Sequence, residues 1–295
     1  IIPLPISPQE WSSLEQGLIQ RATILEKVLE DVYGQQELLK SGAIPPELIH
    51  ANPNFLHPCH GIVPPDNRHL TFYAADLYRT EDGSFRVLRD YGGHPEGLGY
   101  ALENRIVMSR LYPKLYHRSW IRRLAPFFQA FHKAMSQRVS PGKGEPDIAL
   151  LSPGPDHQLY FEHALLSRYL GYPLVEGQDL TVRNGQVFLK KLAGLERVEA
   201  IFRQIDDSQS DPFALRRETA RGVAGLIQAC REQNVDVVSP IGSGFIETPA
   251  LKLFLPDLCR QLLGEELKLE NRPAWWCGTE DNLRHALENM SSLTV

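Results

Sequence analysis

Cysteine is scarce in this chain: four residues in 295, set far apart at Cys59, Cys230, Cys259 and Cys277. No CxxC pair occurs, which excludes a zinc ribbon or a redox dithiol of the usual spacing. Free thiols in a reducing cytoplasm are expected. His57-Pro58-Cys59-His60 has no second cluster at a ligand spacing, and its proline favours a loop. Long apolar runs are missing as well. Nothing approaches the roughly 18 apolar residues of a membrane-crossing helix, so no membrane span is expected. Positive charge is not in excess: the formal net charge is −5. Arg122-Arg123 and Arg216-Arg217 are short pairs rather than a basic stripe, so nucleic acid is not an expected partner. There is no GxxxxGK[ST] and no GxGxxG, which disfavours a P-loop and a dinucleotide-binding oxidoreductase. The opening Ile1-Ile2-Pro3-Leu4-Pro5 lacks the charged region and cleavage site of a signal peptide. Both ends read as the interior of a longer chain. Repeats and low-complexity tracts are absent.

What is present is an ordinary globular composition, 42% hydrophobic and 23% charged, with length for one or two cores. Ser7 and Glu10 form a capping box with Pro8 at the first helical position. Trp11, Leu14, Leu18, Ala22, Leu25, Leu29 and Val32 then recur at helical spacing, so residues 7–40 read as helical with a break at Gly34. Residues 43–66 read as irregular, 69–77 and 85–90 as strands, about 100–111 and 119–138 as helices. The turn-rich stretch 140–146 is the expected subdomain boundary. It separates a helical and hairpin region, 1–145, from an α/β domain, 146–295.

Past that junction the pattern changes. Asp147-Ile148-Ala149-Leu150-Leu151 is a short apolar strand, Ser152-Pro153-Gly154-Pro155 turns it into a helix ending at Gly171, and Pro173-Leu174-Val175 is the next strand. That is a βαβ unit, which implies a parallel sheet. Asn184-Gly185 between alternating runs predicts a hairpin. A strand over 198–203, a helix near 217–232, a strand over 235–238 and a helix near 249–263 complete a doubly wound α/β region.

The stretch Tyr73 to Arg105 carries the chemistry. Asp76 precedes the turn Glu81-Asp82-Gly83, and Asp90 ends the alternating run Phe85-Arg86-Val87-Leu88-Arg89. Carboxylates on neighbouring strands are the hard oxygen ligands that Mg²⁺–nucleotide chemistry needs. They are equally readable as two solvent-facing acids on a hairpin.

This hairpin, with the glycine-rich turn Gly92-Gly93-His94-Pro95-Glu96-Gly97 behind it, resembles the circularly permuted ATP-grasp proteins of type 2, relatives of glutathionylspermidine synthetase. The resemblance continues in order through Asp31-Val32-Tyr33-Gly34, Asn52 to Gly61, Gly99 to Arg105, Ser152 to Pro155, Tyr160 to His163, Val175 to Leu180 and Trp275 to Gly278. It implies a pre-ATP-grasp-like parallel-sheet domain and an amide-bond-forming ligase: ATP phosphorylates a carboxylate, and an amine attacks the acylphosphate. It implies ATP and Mg²⁺ as cofactors, with Asp76 and Asp90 as metal ligands, and small-molecule or peptide carboxylate and amine substrates. Catalytic residues and oligomeric state are not implied. In the family the second strand ends Glu-Asp-Asn and Pro-Ser-Gly follows. Here Arg89-Asp90-Tyr91 and Pro95-Glu96-Gly97 stand instead. Arginine has donors only and cannot coordinate Mg²⁺. Either fewer protein oxygens hold the ion, or this copy is degenerate and serves as a non-catalytic scaffold or binding module. Arg89 could also contact a nucleotide phosphate directly.

Further candidates lie in the α/β region. Ser152 and Gly154 sit where a strand meets a helix, a place suited to an anion. Glu162 lies one turn into that helix. Arg203, Asp206 and Asp207 end a strand and match the family's Arg-x-x-Asp-Asp, so all six are expected around an acceptor substrate. For each of them a turn, a cap or a buried ion pair is the alternative. Trp275-Trp276 reads either as a core seal or, if exposed, as a partner surface.

Overall fold

Ser7 accepts from the backbone of Glu10 at 3.2 Å while the Glu10 carboxylate accepts from the Ser7 backbone at 2.8 Å, and this capping box starts the first helix. A computed structural model describes residues 4–118, 121–139 and 147–293. In chain order the elements are α1 (Pro8–Val32), α2 (Glu37–Lys40), α3 (Pro46–His50), β1 (Ala74–Arg79), β2 (Phe85–Tyr91), α4 (Leu98–Leu111), α5 (Pro113–Arg118) and α6 (Ala125–Val139). There follow β3 (Ile148–Leu151), α7 (Tyr160–Leu170), β4 (Leu174–Val175), β5 (Leu180–Arg183), β6 (Gln186–Lys191), β7 (Gly194–Val198) and β8 (Ala200–Arg203). The last are α8 (Leu226–Arg231), β9 (Asp236–Val238), α9 (Leu255–Leu263) and α10 (Glu280–Glu288).

The chain divides into two compact units that interleave along the sequence. One comprises Ile1–Phe55, Tyr73–Gly92 and Gly244–Val295, the other Leu56–Phe72 and Gly93–Ser243. This differs from a single division near residue 145, and the junction 140–146 lies outside the described residues.

In the first unit α1 buries Leu14, Ile24, Leu25, Val28, Leu29 and Val32 along one face. Gly17 lets the chain near Leu269 come close: a Cβ there would stand 2.8 Å from that leucine's Cβ. β1 and β2 form an antiparallel ribbon whose Ala75, Leu77, Phe85 and Val87 pack with Leu14, Leu18 and Leu269. The opposite edge of β2 bonds residues 270–272, through Val87 N to Glu270 O at 2.9 Å and Arg272 N to Val87 O at 2.8 Å.

In the second unit a four-stranded parallel sheet runs β4-β3-β8-β9. All four residues of β3 are buried because both faces are covered. Ile148 and Leu150 pack with Phe131 and Met135 of α6 and Leu166 of α7. Ala149 and Leu151 pack with α8 and the antiparallel sheet β5-β6-β7. The Asn184-Gly185 turn has φ of 50° and 73°, the left-handed pair a tight hairpin requires. Several elements are shorter than their sequence suggests, and the helix expected over 119–138 is Ala125–Val139. The expected helix 217–232 is only Leu226–Arg231, because the buried Asp211 carboxylate accepts from the backbones of Phe213, Gly225 and Ile227 and holds the preceding chain in turns. The helix expected over 249–263 starts at Leu255.

Candidate functional site

A bulge decides the chemistry of the ribbon. Counting back from the turn, Arg79 pairs with Phe85 and Leu77 with Val87, but then Asp76 pairs with Arg89. Leu88 is the extra residue. One inserted residue reverses which face each later side chain takes. Without it Asp76 and Asp90 would share a face; with it Asp90 pairs with Ala75 and points into the core.

The inner face is closed. Arg21, fully buried on α1, donates to both Asp90 oxygens at 2.6 and 2.7 Å, and the Tyr73 hydroxyl donates to one of them at 2.8 Å. Arg21 also donates to Asn271 Oδ1 at 2.6 Å. Burial, and then the Asp90 charge, push the Tyr73 phenol well above its ordinary range, so it stays a donor. The outer face carries Asp76, Arg89 and Tyr91. Asp76 and Arg89 are exposed, and the Tyr91 hydroxyl donates to Asp76 at 2.8 Å.

The expected metal pair is therefore not brought together. Asp76 and Asp90 lie on opposite faces, and Asp90's oxygens are committed to Arg21 and Tyr73. The side chains that do share Asp76's face are a guanidinium and a phenol, so the residues present do not fit Mg²⁺. Among the described residues no group of three or more His, Cys, Asp or Glu side chains is placed to hold a metal ion.

The second unit gathers the other candidates. β3 leads to β4 on one side, and β8 and β9 lie on the other, so the chain reverses direction between β3 and β8. Ser152 and Gly154 follow β3; Arg203 ends β8, with Asp206 and Asp207 just behind it. Each has an internal role. Ser152 Oγ is 2.9 Å from His163 Nδ1 and accepts from Gly154 N at 3.2 Å. Gly154 has φ of +106°, which favours glycine. The buried Glu162 accepts from Gly97 N at 3.0 Å and Gly99 N at 2.8 Å, capping the start of α4. Arg203, fully buried, donates to the carbonyls of Gly93 at 2.8 Å and Ser239 at 3.3 Å and pairs with Asp207. Asp206 accepts from Ser208 N at 2.8 Å. His163 is buried beside His157, with ring centroids 5.7 Å apart. Burial, then the charges of His157 and His94, push its pKa down to about 4.

Across the whole length, a match to the model of circularly permuted ATP-grasp type 2 proteins covers residues 3–295. The chain belongs to that family. Members of the ATP-grasp group use ATP and Mg²⁺ and include ATP-dependent ligases. Among curated proteins, the chain is 38% identical over 294 residues to an uncharacterized protein of Mycobacterium tuberculosis, covering 100% of this chain and 33% of that one. It is 35% identical over 295 residues to an uncharacterized protein of Mycobacterium leprae, covering 100% and 53%. It is 33% identical over 295 residues to one of Synechocystis, covering 100% and 61%. The chain thus spans a third to three-fifths of the curated relatives it matches.

Sequence reasoning missed Arg21, Lys252 and Arg272 at the ribbon. Arg21 had a readable signal, a cation on the apolar stripe of α1 between Leu18 and Leu25. Lys252 and Arg272 had none, since only the pairing of residues 270–272 with β2 brings them there. Trp275 is half-exposed and lies against His285, with ring centroids 4.6 Å apart. No helix among the described residues is long and apolar enough to cross a membrane.

Proposed function

We propose that this ATP-grasp chain serves as a ligase-fold binding module whose ribbon holds no divalent ion and supports no metal-dependent turnover. One observation carries the reading: Arg89 and Tyr91, not carboxylate and amide, share the face of Asp76, while Asp90 is locked under Arg21. A guanidinium repels a dication that a carboxylate would attract. The test is Mn²⁺ binding, followed by electron paramagnetic resonance, with ATP hydrolysis assayed on the natural-length protein. Wild type is expected to bind no Mn²⁺ at the ribbon and to release no phosphate. Arg89→Glu combined with Tyr91→Asn puts three oxygen-bearing side chains on one face and is expected to gain Mn²⁺ binding. Magnesium-dependent hydrolysis that Asp76→Ala abolishes would sink the proposal.

A second reading has its own support. Ser152, Gly154, Arg203, Asp206 and Asp207 gather at the carboxyl edge of a parallel sheet, beside the reversal between β3 and β8, where open α/β sheets take ligands. On that reading the protein is a carboxylate–amine ligase. A substrate carboxylate oxygen attacks the γ-phosphorus of ATP and ADP leaves; an amine then attacks the acyl carbon and phosphate leaves as the amine loses a proton. ADP release that requires an added carboxylic acid and amine would favour it over the binding module.

A further inference from the structure

Residues 270–272 run parallel to β2, with Val87 opposite Asn271. Side chains alternate across the two segments. Val87 and Asn271 face inward, where Asn271 meets Arg21. Glu270 faces outward and pairs with Arg86 at 2.9 Å. Arg272 is the next outward residue along, on the side of Arg89. Lys252 enters from a short helical turn whose own carbonyl accepts from Asn271 Nδ2 at 2.6 Å. Its Nζ lies 3.5 Å from the carbonyl of Leu88, the bulge residue.

The charges around this place are unbalanced. Arg272, Arg21 and Arg89 act on the Lys252 ammonium, against Asp90. Asp90 is already held by Arg21. Burial and then Arg272 lower the Lys252 pKa. Of the acids on the outer face, Glu270 is taken by Arg86 and Asp76 receives the Tyr91 hydroxyl. Among the described residues no carboxylate ion-pairs with Arg89, Lys252 or Arg272. A chain with net charge −5 thus collects three cations at this place, none of them ion-paired among the described residues.

We propose that Arg89, Lys252 and Arg272 form a metal-independent site for the phosphoryl oxygens of a polyphosphate. This rests on the reading that the ribbon carries no divalent ion. Guanidinium groups match phosphoryl oxygens in a planar, two-pronged way, and a lysine adds a point charge. Such a site prefers the free polyphosphate to its magnesium complex, because the bound metal cancels charge that the cations would otherwise meet. The phosphoryl group could belong to a nucleotide or to an inorganic chain.

Calorimetric titration of the natural-length protein in EDTA, once with tripolyphosphate and once with ATP, tests the site. Wild type is expected to bind in EDTA, and more weakly when Mg²⁺ is added in excess. Lys252→Ala and Arg272→Ala are each expected to weaken binding about tenfold, and the double variant to abolish it. Lys252→Arg is expected to retain it. Lys27→Ala, an exposed cation on α1, serves as the control and should bind as wild type does. Equal affinities for the two probes identify an inorganic polyphosphate, and tighter ATP identifies a nucleotide. Absent binding in EDTA, binding that needs Mg²⁺, or Lys252→Ala and Arg272→Ala variants that keep their thermal midpoint and bind normally would each overturn the site. Turnover does not enter this readout, so metal-dependent hydrolysis could refute the binding-module reading while the titration decides the anion site separately.

Discussion

The two faces of the ribbon hold the same three residue types. Inside, Tyr73 and Arg21 both donate to Asp90; outside, Tyr91 donates to Asp76 with Arg89 opposite in the ladder. Inside, the guanidinium grips both carboxylate oxygens, and the two charged groups are buried. Outside, Asp76 and Arg89 are exposed, and neither makes an ion pair among the described residues. Burial is the difference. A charge withdrawn from water must find its partner within the protein, whereas an exposed charge can remain available for a ligand. The inner trio therefore serves stability and the outer trio is free to serve binding.

Removing one carboxylate from each trio breaks this comparison most sharply. Asp90→Ala leaves Arg21 charged and unpaired in the core, and is expected to cost about 3–5 kcal/mol. Asp76→Ala is expected to change stability by less than about 0.5 kcal/mol. Urea unfolding of both variants checks this, and similar losses from the two would refute it. Replacing both partners, as Arg21→Met with Asp90→Leu, is expected to recover most of the loss, because no buried charge is then stranded.

The second unit offers another answer to burial: a group kept neutral. His163 has its pKa pushed down to about 4, from an unfolded value of about 6.5. Above about pH 6.5 both states are neutral and the histidine costs nothing. As pH falls from there toward 4, the unfolded chain takes a proton that the folded chain refuses, so stability drops. Below about 4 the loss is complete, at about 3 kcal/mol. Stability measured from pH 7 to 4 should therefore fall in wild type and fall less in His163→Gln. Parallel curves would show that another group sets the slope.

Particular residues explain how much of this was legible. The capping box at Ser7, the Asn184-Gly185 turn and the strand–helix–strand run from Ile148 to Val175 are local signals, and each formed the expected element. The interleaving of the two units is not local; it depends on Leu56–Phe72 leaving one core and Gly244 returning to it. The strand expected over 198–203 splits at Glu199, with Val198 ending one sheet and Ala200 starting another. At the ribbon, strand and turn were both readable, but the facing of Asp90 hung on a bulge at Leu88 that no residue type announces. The capping role of Glu162 was equally hidden, since its donors, Gly97 and Gly99, lie more than 60 residues away.

The hydroxyls extend the comparison at smaller magnitude. Tyr73→Phe removes a donor from a buried carboxylate and is expected to cost about 1.5–3 kcal/mol. Tyr91→Phe removes the matching donor where water can replace it, and is expected to cost under about 0.5 kcal/mol. Equal midpoints for the two variants in urea would contradict the assignment of faces.

The smallest effect is electrostatic, and it reads the outer trio directly. The Tyr91 phenol is pushed above its ordinary range, first by partial burial and then by its hydrogen bond to Asp76, while Arg89 pulls it back. Those influences can be separated by substitution. Asp76→Ala removes a negative neighbour, so the phenolate becomes easier to form and the pKa should fall. Arg89→Ala removes a positive neighbour, so the pKa should rise. The two variants must therefore move one resonance in opposite directions, which a merely loosened ribbon would not do, because loosening exposes the phenol and lowers its pKa in both. Site-specific titration of Tyr91 by nuclear magnetic resonance measures the sign. Added tripolyphosphate should act on the same phenol as a new negative neighbour, raising its pKa in wild type and less so in Arg272→Ala. If the probe left Tyr91 unmoved while binding elsewhere, the anion would not be seated on this face.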